Sequence, residues 1–403
     1  GIIRGDDFNR ITLLGKINTH ITDWLQIGMD AAYSRSDYSG VGADLWTATI
    51  LSPYGMKYRP NGELERTPDG TRGHMNPLWG IDDESKQENI EKQDNFRLNA
   101  YFSIDCPWIK GLNYKFNYSG NLNYAKTGNF IHESYFAPNG QYDEDDRYSV
   151  ATQNTYLSSA YGDLLDERTN SYVIDNILSY TKDFGKHNLS LTAVATRDYK
   201  KYVSKKLNGN DFAANGNTLL GLNGLHYASI QKFVLNNWKV TNVGYFARAS
   251  YSFNDTYYIT GSYRRDGASV FGANNKWGNF GAAGLAWRIT NEPFMKKLKA
   301  LDDMKIKVSW GRNGNQGLSQ YSTLSKVANG RDGGIYYPFG NTGKPSFGID
   351  QTTIGNPELA WETTDAWNMG FESSWFNSRL FFDLDVYLSK TCDQIFSRTI
   401  PIM

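Results

Sequence analysis

The sequence predicts an all-β fold, a segment of a transmembrane antiparallel β-barrel with about twelve strands. Three observations predict it. Apolar and polar residues alternate with period two along much of the chain. The connections between alternating stretches are short and long by turns. Aromatic residues reach 15%, with Tyr (27) ahead of Phe (21) and Trp (11), and Tyr and Trp suit an interface that is apolar on one side and wet on the other.

The alternation is plain in several places. Leu25, Ile27, Met29, Ala31 and Tyr33 oppose Gln26, Gly28, Asp30, Ala32 and Ser34. Phe96, Leu98, Ala100, Phe102 and Ile104 oppose Arg97, Asn99, Tyr101, Ser103 and Asp105. Met304, Ile306, Val308 and Trp310 oppose Lys305, Lys307 and Ser309. Such stretches can cross a bilayer as tilted strands, which takes roughly 9–11 residues. We expect strands over 10–19, 24–36, 92–105, 112–126, 169–183, 188–200, 243–253, 257–266, 278–290, 303–313, 362–376 and 379–391.

The connections discriminate better than the alternation, which a soluble β-sandwich shares. Ile21–Asp23, Cys106–Gly111, Phe184–His187, Asn254–Thr256 and Asn377–Ser378 are tight, and Asn291–Asp302 is a little longer and basic. The spans 37–91, 127–168, 201–242 and 314–361 are long, polar and rich in Gly and Asn, with Gly267–Trp277 of middle length. In an up-and-down sheet, alternate connections lie at one end. One end therefore has turns and the other has loops, the pattern of outer-membrane barrels. Greek-key connections would not sort their loops this way.

Charge and cysteine usage exclude several classes. Lys plus Arg and Asp plus Glu both number 42, so no basic excess points to nucleic acid. No run of 18 apolar residues occurs, which excludes a membrane-spanning helix and leaves a barrel untouched. Gly1 to Arg10 lacks a basic start followed by an apolar core, so we expect a leader to have been removed or the chain to begin inside a larger protein. Cys106 and Cys392 show no metal or redox spacing; two isolated thiols are the preferred reading, with a disulfide between them as the alternative. An open twelve-strand sheet would have two bare edges, which proteins avoid. The chain also ends at Pro401, Ile402 and Met403 without a closing aromatic residue. The expectation is an internal segment of a longer barrel, with a complete twelve-strand barrel as the alternative.

Motifs of catalysis are missing. The five histidines are scattered, and no H-E-x-x-H, G-x-S-x-G, phosphate loop or dinucleotide fingerprint occurs. We expect neither enzyme activity nor a cofactor. Asp143 and Asp145, within an acidic run, are weak metal candidates; without the glycine of a calcium loop, a solvated acidic turn is the preferred reading. Trp46, Trp79, Trp238, Tyr336 and Tyr337 fall in the long loops and are the substrate-contact candidates, their competing role being to pack the loops' own small cores. Arg97, Lys115, Arg248, Lys305, Lys307, Asp383 and Asp385 lie on polar strand faces and are the candidates to face the lumen.

The run YSFNDTYYITGSYRRDGASVFGANNKWGNFGAAGLAWRITNEPF, Tyr251 to Phe294, resembles the SusC/RagA family of TonB-dependent transporters. KIKVSWGRNGNQ from Lys305, GNPELAWETT from Gly355 and RLFFDLDVYLSKTCDQIF from Arg379 follow in the family's order. DWLQIGMDAAYSR from Asp23 and the Pro107–Gly111–Leu112 turn fit more loosely. The chain departs at Ala268, where a serine is frequent, and at Gly281, where a proline is frequent; both positions belong to the framework. The resemblance implies a barrel of twenty-two strands in the outer membrane of Bacteroidetes and an N-terminal plug inside it. It also implies TonB contact through a segment before the plug, and a SusD-like surface lipoprotein over the mouth. Two such pairs would assemble as a dimer, and the imported nutrients would be glycans or peptides. Residues 1–403 would then be one partial β-barrel domain, with plug and closing strands outside it, and the lumen-facing candidates would meet the plug or line the path. Two other classes stay open at this point: a passive porin, and a soluble carbohydrate-binding β protein.

Overall fold

The computed structural model describes the chain except residues 1–2, 71–73, 82, 84–86, 133–134, 136–159, 213–216, 299, 330–335, 338–345 and 397–403. Asp143 and Asp145 lie outside the described residues. Twelve strands form one antiparallel sheet: β1 (Asn9–Thr22), β2 (Leu25–Asp37), β3 (Gln87–Asp105), β4 (Leu112–Ile131), β5 (Tyr161–Phe184), β6 (His187–Phe212), β7 (Ala228–Phe253), β8 (Tyr257–Ala268), β9 (Trp277–Arg288), β10 (Leu301–Asn315), β11 (Glu362–Trp375) and β12 (Leu380–Cys392). The order across the sheet is the order along the chain, so every strand pairs with its sequence neighbours. This is an up-and-down meander with β1 and β12 as its edges, and not a sandwich. The sheet does not close on itself.

The expected strands are all present, but five run well past the limits that the alternation predicted. β3 to β7 run five or more residues past their expected limits at the long-loop end; β6 continues to Phe212 and β7 begins at Ala228. The span 201–242 is therefore mostly strand, and Trp238 sits on β7 rather than in a loop. The physical reason is visible in the residues: Lys200, Lys201, Ser204, Lys205 and Lys206 put polar groups on both faces. A strand that has left the lipid no longer needs one apolar face. The eighth strand likewise ends at Ala268, two residues past its expected limit.

Short connections do sort to one end. Gly185 and Lys186 join β5 to β6, and the β7–β8 turn places Asn254 and Asp255 at φ of 52° and 49°, a left-handed conformation these residue types tolerate. The β3–β4 turn depends on Gly111. It has φ +89° and a Cβ there would fall 1.9 Å from the Thr181 carbonyl oxygen. The Gly111 carbonyl accepts the Thr181 amide at 2.9 Å, which ties this turn to β5. The β9–β10 turn is pinned by Asp303, which takes both Nε and Nη2 of Arg288 at 2.9 Å and the Thr290 hydroxyl at 2.8 Å.

The two faces of the sheet differ. Register places Ile27, Phe102, Leu178, Ala247, Ile259, Leu285, Val308, Met369 and Val386 on one face. Ile259 is 53% exposed, Met369 60% and Val386 62%. The accessible surface of 27317 Å² is far above the roughly 16,000 Å² of a compact soluble protein of this mass. Water would not tolerate this contiguous apolar face, whereas lipid would. Aromatic girdles border the band at both ends. Toward the loops, Tyr118, Tyr172 and Tyr199 stack in series and Tyr245 stacks on Trp277 at 6.3 Å. Toward the turns, Tyr257 stacks on Trp287 at 6.4 Å, and the polar tips of both reach Glu292. Trp277 and Trp287 are ten residues apart on β9, roughly 33 Å along a strand and roughly 25 Å along the normal at a tilt of about 40°, the height of a barrel's apolar band.

A small hydrophobic core sits above that band. The 3₁₀ segment Asn217–Tyr227 lays Leu222 and Leu225 over the extended strands, where they are buried with Phe130, Ala160, Phe212 and Ala228.

Two outcomes test this fold in the full-length protein in detergent, read as unfolding free energy. Val308→Arg costs about 2–4 kcal/mol because the new charge faces lipid, while Ser309→Arg, one residue on and facing the other way, costs less than about 1 kcal/mol. Gly111→Ala costs more than about 2 kcal/mol, whereas Gly185→Ala, whose added Cβ meets nothing within 4 Å, costs only the left-handed penalty of roughly 1–2 kcal/mol.

Candidate functional site

The opposite, inner face is polar and cross-linked. Asn18 Oδ1 accepts from Gln26 at 2.9 Å and from the Tyr101 hydroxyl at 2.8 Å. The Tyr101 ring lies across Gly28, where a Cβ would fall 2.2 Å from Cε1, so glycine there makes room for the ring. Lys115 Nζ stands 4.4 Å from the centre of the same ring. Asp30 accepts from Asn99 at 2.9 Å, and Asn99 accepts from Ser119 at 2.5 Å. Asp175 accepts from Thr196 at 2.8 Å. These are the cross-strand polar pairs that fix register on a sheet face.

All seven lumen-facing candidates lie on this face. Lys307 pairs with Glu372 at 2.5 Å and with Asp385 at 3.6 Å, and Asp383 sits opposite Glu372 in register. Lys305 Nζ is 5.4 Å from the Tyr258 ring centre. Arg97 lies opposite Ala32 and Asn121. Arg248 lies opposite Thr192 and Ser262. Neither arginine has an ion pair or side-chain hydrogen bond among the described residues. The inner wall thus has carboxylates on β11 and β12 facing the lysines of β10, and isolated cations on β3 and β7.

The five aromatic candidates fall on three separate segments. Trp46 belongs to the short helix α1 (Leu45–Ile50) of the 38–86 loop and is 74% exposed. Asp44 caps that helix. Its carboxylate accepts the Thr47 hydroxyl and amide, which hold its pKa below the usual carboxylate range. Trp79 is buried in the same loop, with its indole N–H on the Tyr135 carbonyl at 2.9 Å; it packs the loop. Tyr336 and Tyr337 form a two-residue strand against Ser346 and Phe347. Trp238 is on the inner face of β7, stacked on Tyr202 at 5.2 Å with Lys200 Nζ 5.7 Å from its ring.

Trp238 borders a site that the sequence reading missed. Two neighbouring clefts of about 430 and 480 Å³ open on the inner face near the loop end and share Asp198, Asn242 and Gln316. The first adds Lys200, Trp238 and Gln320, and the second adds Arg264, Asp266 and Trp361. Asp198 accepts from Asn242 Nδ2 at 3.1 Å, while Asn242 Oδ1 is buried without a partner among the described residues. Arg264 Nε is held by Asp266 at 2.6 Å. The clefts offer donors, acceptors and an aromatic face side by side, suited to polar, multi-hydroxyl or amide ligands. The signal available in the sequence was parity: Thr196, Asp198 and Lys200 continue the inner face of β6.

A single-layer meander with an apolar belt, two aromatic girdles and a polar inner wall is the wall of an outer-membrane-type barrel. Residues 25–403 match the TonB dependent receptor-like, beta-barrel family, and the chain belongs to it. It is 26% identical over its whole length to TonB-dependent receptor P3 of Formosa agariphila and 25% identical to TonB-dependent receptor SusC of Bacteroides thetaiotaomicron. The SusC resemblance is thereby borne out. The chain spans 38% and 39% of those two proteins. Among solved structures, the RagAB peptide transporter superposes with a TM-score of 0.70 at 21% identity, covering 98% of this chain and 41% of that one, a likeness of fold.

In a double-mutant cycle on Lys307→Met and Glu372→Gln, we expect a coupling of about 0.5–1 kcal/mol that shrinks with added salt. A coupling indistinguishable from zero at low salt would show that the pair does not hold β10 to β11.

Proposed function

We infer that this chain is part of the barrel wall of a SusC-like importer in the bacterial outer membrane. Such an importer takes up glycans or peptides by a TonB-dependent cycle, beneath a SusD-like surface lipoprotein. The observation that carries the reading is the inner wall. A passive pore needs a water-filled polar lining only, whereas Arg97 and Arg248 stand without an ion pair or side-chain hydrogen bond among the described residues, on a wall largely tied strand to strand. Isolated cations on a concave face suit a complementary protein surface inside the barrel, and the carboxylates Asp383 and Asp385 offer it the opposite charge. A plug domain is such a surface.

The clefts around Asp198, Asn242 and Trp238 lie where cargo would pass from the mouth into the lumen. An aromatic face with flanking amides and carboxylates serves sugar rings and peptide groups alike. No step of the cycle requires a catalytic residue. Energy enters through the plug, and the wall contributes positioning and release.

The test uses the full-length protein in its own outer membrane, with fluorescent oligosaccharide and oligopeptide pools as cargo. Uptake of one pool should stop when TonB is inactivated, and a surface lipoprotein should co-purify with the barrel. Uptake that continues unchanged without TonB would assign a passive porin instead. Trp238→Ala should lower uptake about tenfold or more, since stacking faces are worth roughly 1–3 kcal/mol.

A further inference from the structure

The outer face of β5–β8 carries a second pattern, unrelated to the lumen. Arg168, Arg197, Lys201, Lys205, Lys239 and Arg265 are exposed on the face that bears the apolar band, and they flank the loop-side girdle. Lys201 is directly opposite Lys239, a like-charge cross-strand pair that repels unless an anion lies over it. Arg168 sits opposite Val203, and so diagonal to both Lys201 and Lys205. None of the six makes an ion pair among the described residues. Asp166, opposite Lys205, is the one carboxylate on this patch among those residues, and it already accepts the Tyr124 hydroxyl at 2.9 Å. Arg265 is anchored to the girdle, its guanidinium 5.1 Å from the Trp277 ring centre.

Below the cations, toward the turns, the same strands form an apolar groove of about 700 Å³. Ala193, Ala247 and Ala249 are the small residues of its floor, with Leu178, Leu191 and Tyr263 among its walls. Tyr263 is two positions from Arg265 on β8, and Ala193 four positions from Arg197 on β6. The two features share strands and a face, with cations above and an acyl-sized trough below.

We propose that this face holds a phosphate-bearing lipid of the outer leaflet, its phosphates on the cation cluster and an acyl chain in the groove. Charge complementarity and continuity with the lipid-facing band select that occupant. Guanidinium groups favour phosphate through paired N–H donors, and basic groups at a membrane surface each add to anionic-lipid affinity. The proposal rests on the barrel being embedded in a membrane.

The experiment titrates full-length protein in a neutral detergent with bis-phosphorylated lipid A, with its dephosphorylated form and with inorganic phosphate, read by native mass spectrometry. We expect phosphorylated lipid A to bind about tenfold or more tightly than the dephosphorylated form, and Arg168→Gln/Lys201→Gln/Lys239→Gln to remove that difference. Ala247→Trp, which fills the groove and leaves the cations in place, should weaken both lipids. Equal binding of the two lipids, an unchanged preference in the triple variant, or competition by inorganic phosphate as strong as by lipid A would overturn the site. Protein that stays soluble and monomeric without detergent would instead overturn the membrane reading on which the site depends.

Discussion

The structure depends on one constraint: a chain that crosses hydrocarbon must satisfy its backbone N–H and C=O groups within itself. This sheet does so by pairing each strand with its sequence neighbour, from β1 to β12, with few irregularities in register. Once the ladder carries that duty, side chains are released from it. They need only obey the two-residue period, one parity for lipid and one for the interior. The absence of a conventional core follows. The buried clusters around Phe130 and Phe271 occur where loops fold back on the strands, beyond the apolar band.

Each face then solves a separate problem. The outer face is apolar where it meets hydrocarbon and aromatic at its borders; it turns basic past the loop-side border. The inner face is held in register by side-chain hydrogen bonds such as Asn18 with Tyr101 and Asp30 with Asn99. Those bonds leave Arg97 and Arg248 over, and the interior function is read from what they leave.

The strands were legible in the sequence because alternation records which face meets lipid. The turn ends of β3 to β8 fell within a residue or so of expectation, since Gly111, Gly185, Asn254 and Asp255 mark them with turn chemistry. The loop ends of β3 to β7 were not legible. Above the lipid both faces are wet, and Lys201, Ser204 and Lys205 look like loop although the ladder continues through them. The same blindness hid the clefts. Asp198, Asn242 and Gln316 come from three segments that the sequence separates by tens of residues, and only register brings them together. Trp79 shows the reverse limit: an aromatic residue in a polar loop looks available for a ligand, yet it fills that loop's own interior.

The unequal strand lengths make the rim of the barrel uneven. β6 continues thirteen residues past Tyr199, braced by the Asn217–Tyr227 segment, while β8 ends three residues past Arg265, which stands at the same girdle beside Trp277. At about 2.5 Å of height per residue for a tilted strand, one part of this wall stands on the order of 25 Å above the other. The wall is therefore tall at β5–β7 and low at β8 and β9, where the connecting segment is held down by Phe271 packed on Trp361. A force applied at the top of the tall part acts through a long lever on the strands that carry Asp198 and Asn242.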